Sequence, residues 1–370
     1  GISMLVMLDG RIVFEHYPNG GRPDRAHELA SGTKSFSGIL AAAAAQDGLL
    51  TLDEKVSDTL REWRDDPKKS QITIRQLLSL TSGLETGGER GAVPTYAEAV
   101  AKPVVTEPGT RFKYGAVAFQ VFGEVMRRKL EANPRGEASP QNESPVDYLK
   151  RRVYAPIGLE IGGWRLGADG NPTMPSGAQL TARNWAKFGE LVRLEGAWEG
   201  KAIVEAKLLD QCFEGSKANP AYGLTWWLHR PTTPAQRLLI PQLTLATDLY
   251  RGSALLPDDL VMAAGAGNQR LYVSRKLGLV VVRQADGIMA SLAGARSGFS
   301  DAEFLLRLLK GTDLAGNAVE PGQLEPSGAL GGLGGELKLL QKQFDRDGDG
   351  RLDADERQQM FDFIRERKRK

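Results

Sequence analysis

The stretch Ala30-Ser31-Gly32-Thr33-Lys34-Ser35-Phe36-Ser37 runs straight into Gly38-Ile39-Leu40 and five consecutive alanines, Ala41 to Ala45. A segment with such small side chains has almost nothing to show to solvent, so it predicts a helix buried on all sides. The rest of the chain must be built around it. Ser31 and Lys34 are three residues apart, which places them on one helix face about one turn apart. Read as the first turn of that helix, Ser31 lies where the N-terminal end of the dipole favours a group that develops negative charge. The serine hydroxyl and the lysine amine can then face one pocket. No other serine of the chain has a lysine three residues on.

Composition narrows the function classes. The 370 residues suffice for one large domain or two unequal ones. With 48 basic and 46 acidic side chains the net charge is +2, which gives no global field for nucleic acid or an anionic membrane. No apolar run approaches the ~18 residues of a membrane span. The one cysteine, Cys212, excludes an internal disulfide and a multi-cysteine zinc site. With three histidines (His16, His27, His229) and no G-x-S-x-G motif, a Ser-His-Asp hydrolase is hard to build. The opening Gly1-Ile2-Ser3 reads as a processed start, which fits a periplasmic or secreted protein whose signal peptide has been removed.

Strand signals lie at both ends. Met4 to Leu8 and Arg11 to Glu15 flank Asp9-Gly10, a strong signal for a two-residue hairpin turn. Arg270 to Ser274 and Leu277 to Arg283 form a second β-rich pair joined by a short Arg-Lys turn. Between the ends the pattern is helical with polar loops. Thr51-Leu52-Asp53-Glu54 predicts a capped helix start, Thr73 to Leu78 a short helix, and Thr181 to Glu195 a helix whose Trp185, Phe188, Leu191 and Val192 face the core. Glu131 to Pro145 reads as a mobile loop. Ser300-Asp301-Ala302-Glu303 caps a helix ending at Gly311. The expected fold is α/β in the α+β sense: one antiparallel sheet from both termini, flanked by helices, with a large helical insertion.

Several stretches fall in the order of one known family. Leu77 to Leu84 reads L-L-S-L-T-S-G-L, Tyr114-Gly115-Ala116 sits where that family has Y-x-N, and Tyr222 to Trp227 reads Y-G-L-T-W-W. Ala263-Ala264-Gly265-Ala266-Gly267 precedes the late strand, where K-T-G or H-x-G belongs. From residue 4 to 310, over four fifths of the chain, the sequence resembles the superfamily of class C β-lactamases, penicillin-binding-protein-like proteins and family VIII esterases, which includes oligomer amide hydrolases. The resemblance implies that Ser31 is a nucleophile, Lys34 its proton acceptor and Tyr114 a proton relay. It implies an oxyanion hole from the amides of Ser31 and Ala266, and substrate contacts by Gly265, Gly267, Trp226 and Trp227. Two departures stand out. Ala116 replaces the usual Asn, and Ala263-Ala264-Gly265 lacks the Lys or His that helps hold a substrate carboxylate; Arg270 is either a substitute or a solvated strand residue.

The expected activity is therefore a serine carboxylesterase or amidase acting on a small ester or amide, with no cofactor for catalysis. Alternatives are a non-catalytic binding protein for a peptide or glycan, and a weak β-lactamase or D-aminopeptidase.

The C-terminal part carries a different chemistry. After the hydrolase-like domain (1–311) comes a Gly/Pro-rich linker (312–335) and then a small helical unit (336–370). Asp345, Asp347 and Asp349 occupy positions 1, 3 and 5 of an EF-hand loop, with Gly350 at the sharp turn. Arg351 would offer its backbone carbonyl, Asp353 a direct or water-mediated contact, and Glu356 a bidentate carboxylate. Such hard oxygen ligands predict calcium. EF-hands usually pair, so this single one is expected to pack on the hydrolase domain, pair with another molecule, or bind weakly.

Overall fold

The computed structural model describes residues 1–86, 92–132, 143–252, 254–295 and 298–317. They belong to two compact units. The first comprises Gly1–Arg230 and Pro257–Ala295; the second comprises Pro231–Leu256 and the described part of Arg296–Lys370.

In the first unit Asp9 and Gly10 both take positive φ, 47° and 79°, the conformation that a two-residue type I′ turn requires. They join β1 (Ser3–Leu8) to β2 (Arg11–His16). The register slips between Val6 and Met7, a bulge in the edge pair. Further strands are β3 (Trp227–Leu228), β4 (Val261–Gly265), β5 (Gln269–Ser274) and β6 (Leu279–Gln284). Their order is β2-β1-β6-β5-β4-β3. Each neighbouring pair is antiparallel, and β1 lies directly on β6. The sheet is thus built from both ends of the chain, as expected. The last strand begins at Leu279 rather than Leu277, because Gly278 is still in the turn at φ 62°.

Three helices set the architecture around the sheet. In α1 (Lys34–Gln46) every residue from Lys34 to Ala44 is buried, which is what the alanine run requires. The helix α2 (Val117–Ala132) follows the Tyr114 segment. The helix α3 (Ala182–Arg193), capped by Thr181, packs against β1, β5 and β6 and buries Trp185, Phe188, Leu191 and Val192. Gly189 allows that close packing, since a Cβ there would lie 2.6 Å from a Val280 methyl.

Two local expectations are corrected. Ser31 is not in the first turn of the α-helix but in a 3-10 turn, Ala30–Thr33, that leads into it. Thr51 to Glu54 forms no helix. The Glu54 carboxylate does accept from the Thr51 amide at 2.8 Å, but Lys55 then bridges antiparallel to Thr73, which keeps the chain extended. The true helix start is Thr73, with both bonds of a capping box to Gln76. Short strand pairs also occur inside the helical region, at Gly163–Trp164 with Ala178–Leu180 and at Ala197–Trp198 with Lys201–Ala202.

The second unit contains helices Pro234–Leu239, Gln242–Leu245 and α4 (Asp301–Lys310). Ser300 caps α4 and Gly311 ends it at φ 64°. Asp248 accepts from the Ser300 hydroxyl at 2.6 Å and from the Ala302 amide at 3.0 Å. Most of the Glu131 to Pro145 loop, and the EF-hand ligands Asp345, Asp347, Asp349, Arg351, Asp353 and Glu356, lie outside the described residues. No helix among the described residues is long and apolar enough to cross a membrane.

Candidate active site

The site lies in the first unit, where the turn before α1 meets the end of β4. Ala30 holds φ 46°, an unusual conformation for a residue with a Cβ and one that collects at functional sites. It re-aims the chain so that Ser31 stays half-exposed while its neighbours are buried. Gly32 is needed because a Cβ there would approach the Trp185 ring to 3.0 Å. The Thr33 hydroxyl accepts from the amides of Gly177 and Ala178 at 3.1 and 3.2 Å. The segment around Pro175 is thereby fastened to the Ser31 turn.

Lys34 is buried at 4% exposure. Its Nζ donates to Ser31 Oγ at 2.9 Å and to the Pro175 carbonyl at 3.1 Å. The remaining surroundings are aromatic, with the Tyr114 ring centroid 4.8 Å away and that of Phe119 at 5.4 Å. Removal from water disfavours the charged form and lowers the Lys34 amine to about 7. At neutral pH a large share of Lys34 is the free amine, the form that can take a proton.

Tyr114 stands beside the Ser31 hydroxyl, and burial pushes its phenol up to about 12. It is therefore a proton donor at neutral pH, not a base. Its ring is held by stacking on Trp227 at 5.9 Å and 28°, with Phe112 and Tyr222 completing the cluster. The tyrosine thus closes one side of the hydrogen-bonded serine–lysine pair, its ring 4.8 Å from the Lys34 amine.

The other sequence candidates divide. A Cβ on Gly265 would sit 2.0 Å from the Leu29 carbonyl oxygen and 3.0 Å from the Gly32 amide nitrogen, so the end of β4 lies directly against the Ser31 turn. Ala266 follows it, half-exposed, and Gly267 turns at φ 70° with its Cα packed on Gly287 and Ile288. Trp226 is a correction: it is fully buried, stacked on Phe188 at 5.9 Å and edge-on to Phe213, and presents no surface to a substrate. Trp227 is a correction too: at 2% exposure it offers no surface to a substrate and bears on the site by stacking on Tyr114. Arg270 is not a solvated strand residue. It is 5% exposed and its guanidinium donates to the Gly265 carbonyl at 3.0 Å.

Sequence reasoning missed Pro175, Thr33 and Phe119. Pro175 acts through its carbonyl, which leaves no side-chain signal. Thr33 stands inside the motif and was readable as a hydrogen-bonding residue, and Phe119 lies on α2 one turn after Ala116. That alanine leaves Lys34 without an Asn partner, and its own amide donates to the Thr86 carbonyl at 3.2 Å.

The model of the Beta-lactamase family matches residues 1–327. The chain belongs to that family. Its solved relatives include a proposed 6-aminohexanoate-dimer hydrolase from Bacillus anthracis, 18% identical, TM-score 0.59, aligned over 79% of this chain and 76% of that one. A family VIII carboxylesterase aligns with TM-score 0.56 at 17% identity, over 79% of this chain and 90% of its own. At such identities the likeness shows a shared fold alone. Protein flp of Staphylococcus aureus is 24% identical over 146 residues, 34% of this chain and 29% of its own length. The matched stretch thus spans under a third of that curated relative.

Proposed function

We propose that this member of the Beta-lactamase family is a serine acyl hydrolase of the carboxylesterase or amidase type, working through an acyl-enzyme on Ser31. The observation that carries the reading is the 2.9 Å contact between Ser31 Oγ and a Lys34 amine lowered to about 7. The free amine takes the Ser31 proton as Oγ bonds to the substrate carbonyl carbon. The carbonyl oxygen becomes an oxyanion, facing the Ser31 and Ala266 amides. Tyr114, protonated and beside Ser31, gives a proton to the leaving alcohol or amine as the C–O or C–N bond breaks, and is reprotonated from Lys34. Water then enters, loses a proton to the same pair, and releases the acid. Resemblance to an esterase and to an amide hydrolase supports both leaving groups, and the missing third-motif Lys or His turns the choice away from efficient penicillin cleavage.

Incubation with a fluorophosphonate and with short p-nitrophenyl esters tests this. Ser31 is the expected adduct, with at least about a 10⁴-fold loss of turnover in Ser31→Ala. Equal labelling of that variant removes the reading.

The Asp345–Glu356 pattern supports calcium at an EF-hand, since its alternating carboxylates and final Glu suit a hard cation of high coordination number. Calorimetric titration of the full chain should show one calcium, lost in Glu356→Gln. Equal binding by both proteins would remove the assignment.

A further inference from the structure

Nothing in the third-motif stretch supplies a cation, yet one is buried beside it. Arg270 follows β4 around its turn into β5, opposite Ala264, and donates to the carbonyls of Gly265 at 3.0 Å and Gln269 at 3.1 Å. Next to it the Gln269 carboxamide, also fully buried, donates to the carbonyls of Gly267 at 3.2 Å, Ala266 at 3.4 Å and Ala285 at 2.6 Å. Its oxygen accepts from the Ala285 amide at 3.0 Å, which fixes the carboxamide's orientation. Three successive carbonyls, of Gly265, Ala266 and Gly267, are therefore held by two adjacent side chains.

In a planar trans peptide the C=O and the following N–H point in opposite directions. A guanidinium that fixes the Gly265 carbonyl thus fixes the direction of the Ala266 N–H. Gly265 itself abuts the Leu29 carbonyl and the Gly32 amide, so this end of β4 lies against the Ser31 turn. We propose that Arg270 is a positioning residue: by gripping the Gly265 carbonyl it locks the Ala266 N–H into the oxyanion site. Its charge is felt as far as Tyr114, which it favours in the ionised form. Arg270 acts through the Gly265–Ala266 peptide and does not itself form or break a bond. Both bonds leave Nη1, whose two N–H groups are fixed in the guanidinium plane, whereas the N–H groups of an ammonium rotate freely. This inference rests on the acyl-hydrolase reading.

The test compares wild-type protein with Arg270→Lys and Arg270→Gln. Readouts are the rate of fluorophosphonate labelling, the kcat and KM for a p-nitrophenyl ester, inhibition by a boronic acid that mimics the tetrahedral intermediate, and the melting temperature. A misaimed oxyanion donor should lower kcat and the labelling rate about 10- to 100-fold while KM moves less than about threefold. Affinity for the boronic acid should fall in parallel with kcat/KM, and Arg270→Lys should recover only part of the rate. Both variants labelling at the wild-type rate would overturn the role of Arg270 and leave the hydrolase reading standing. A loss confined to melting temperature and KM would overturn it in favour of a purely structural arginine. Wild-type protein that fails to label would overturn the hydrolase reading and this inference together. Should Arg270→Gln not fold, Arg270→Lys carries the same comparison.

Discussion

The Pro175 carbonyl accepts a hydrogen bond from Lys34 at 3.1 Å, and that bond decides which way the amine faces. A neutral amine has two N–H groups and one lone pair. With one N–H committed to Pro175, the lone pair can be turned to Ser31 Oγ, 2.9 Å away. Burial alone brings this amine down to about 7.

The rate should therefore rise with pH through about 7 and level off roughly one unit above, because the deprotonated amine is the base. Lys34→Met should remove this limb and lower kcat/KM by about 10²–10⁴-fold. Stability has the same sign. The unfolded chain, with lysine near 10.5, binds a proton that the folded chain has released above about 7. Stability thus increases with pH between those values, by an amount on the order of a few kcal/mol. Chemical denaturation at pH 6 and pH 9 should show a smaller change in Lys34→Met than in wild type. An unaltered pH profile in that variant would exclude Lys34 as the base.

Two adjacent tryptophans separate structure from chemistry. Trp227 stacks on Tyr114, while Trp226 stacks on Phe188 of α3. Trp227→Leu should lower kcat about 10-fold or more by freeing the phenol. Trp226→Leu should lower the melting temperature, with up to about 3–5 kcal/mol lost, and leave kcat within a few-fold at a temperature where it is folded. Steady-state rates beside thermal melts check both, and the reverse pattern would mean that Trp226 is the one at the site.

The chemistry was more legible in the sequence than its supports. Asp9-Gly10 announced the hairpin, because only a few residues accept two positive φ values in succession. Ser31, Lys34 and Tyr114 could be placed from side-chain chemistry and family resemblance, and they do meet. Pro175 could not, since a backbone carbonyl carries no residue signature. Ala30 gives no hint of φ 46°, so the sequence predicts an α-helical turn where a 3-10 turn presents Ser31. Thr51 and Glu54 show the opposite failure. One bond of the capping box forms there, but pairing of Lys55 with Thr73 overrides local preference. Arg270 was ambiguous because alternation along a strand tells nothing when every residue of β5 is buried.

Thr33 ties the Pro175 segment to the nucleophile turn through the Gly177 and Ala178 amides. Valine has nearly the same shape but no acceptor, so Thr33→Val strands two buried N–H groups. That should cost about 1–3 kcal/mol per stranded N–H as an upper range. Because the Pro175 carbonyl then moves, kcat should also fall, by about 10-fold, more than in Thr33→Ser, which keeps the oxygen. Equal activities for the valine and serine variants would show that the tether does not act on Lys34.

Gly265 gives the sharpest steric test. A Cβ there would lie 2.0 Å from the Leu29 carbonyl oxygen and 3.0 Å from the Gly32 nitrogen, both backbone atoms with no rotamer to change. In Gly265→Ala the end of β4 must therefore retreat from the Ser31 turn. The retreat carries the Ala266 amide with it and widens the oxyanion site by a fraction of an ångström or more. Overpacking of this kind costs about 1–3 kcal/mol, and a misplacement approaching 1 Å costs up to about 10²-fold in rate. The variant should still bind substrate with little change in KM while kcat collapses. Gly170→Ala is the control, since nothing lies within 4 Å of its Cβ position, although its own φ of 76° adds local strain. Full activity in Gly265→Ala would mean that β4 does not supply the oxyanion donor.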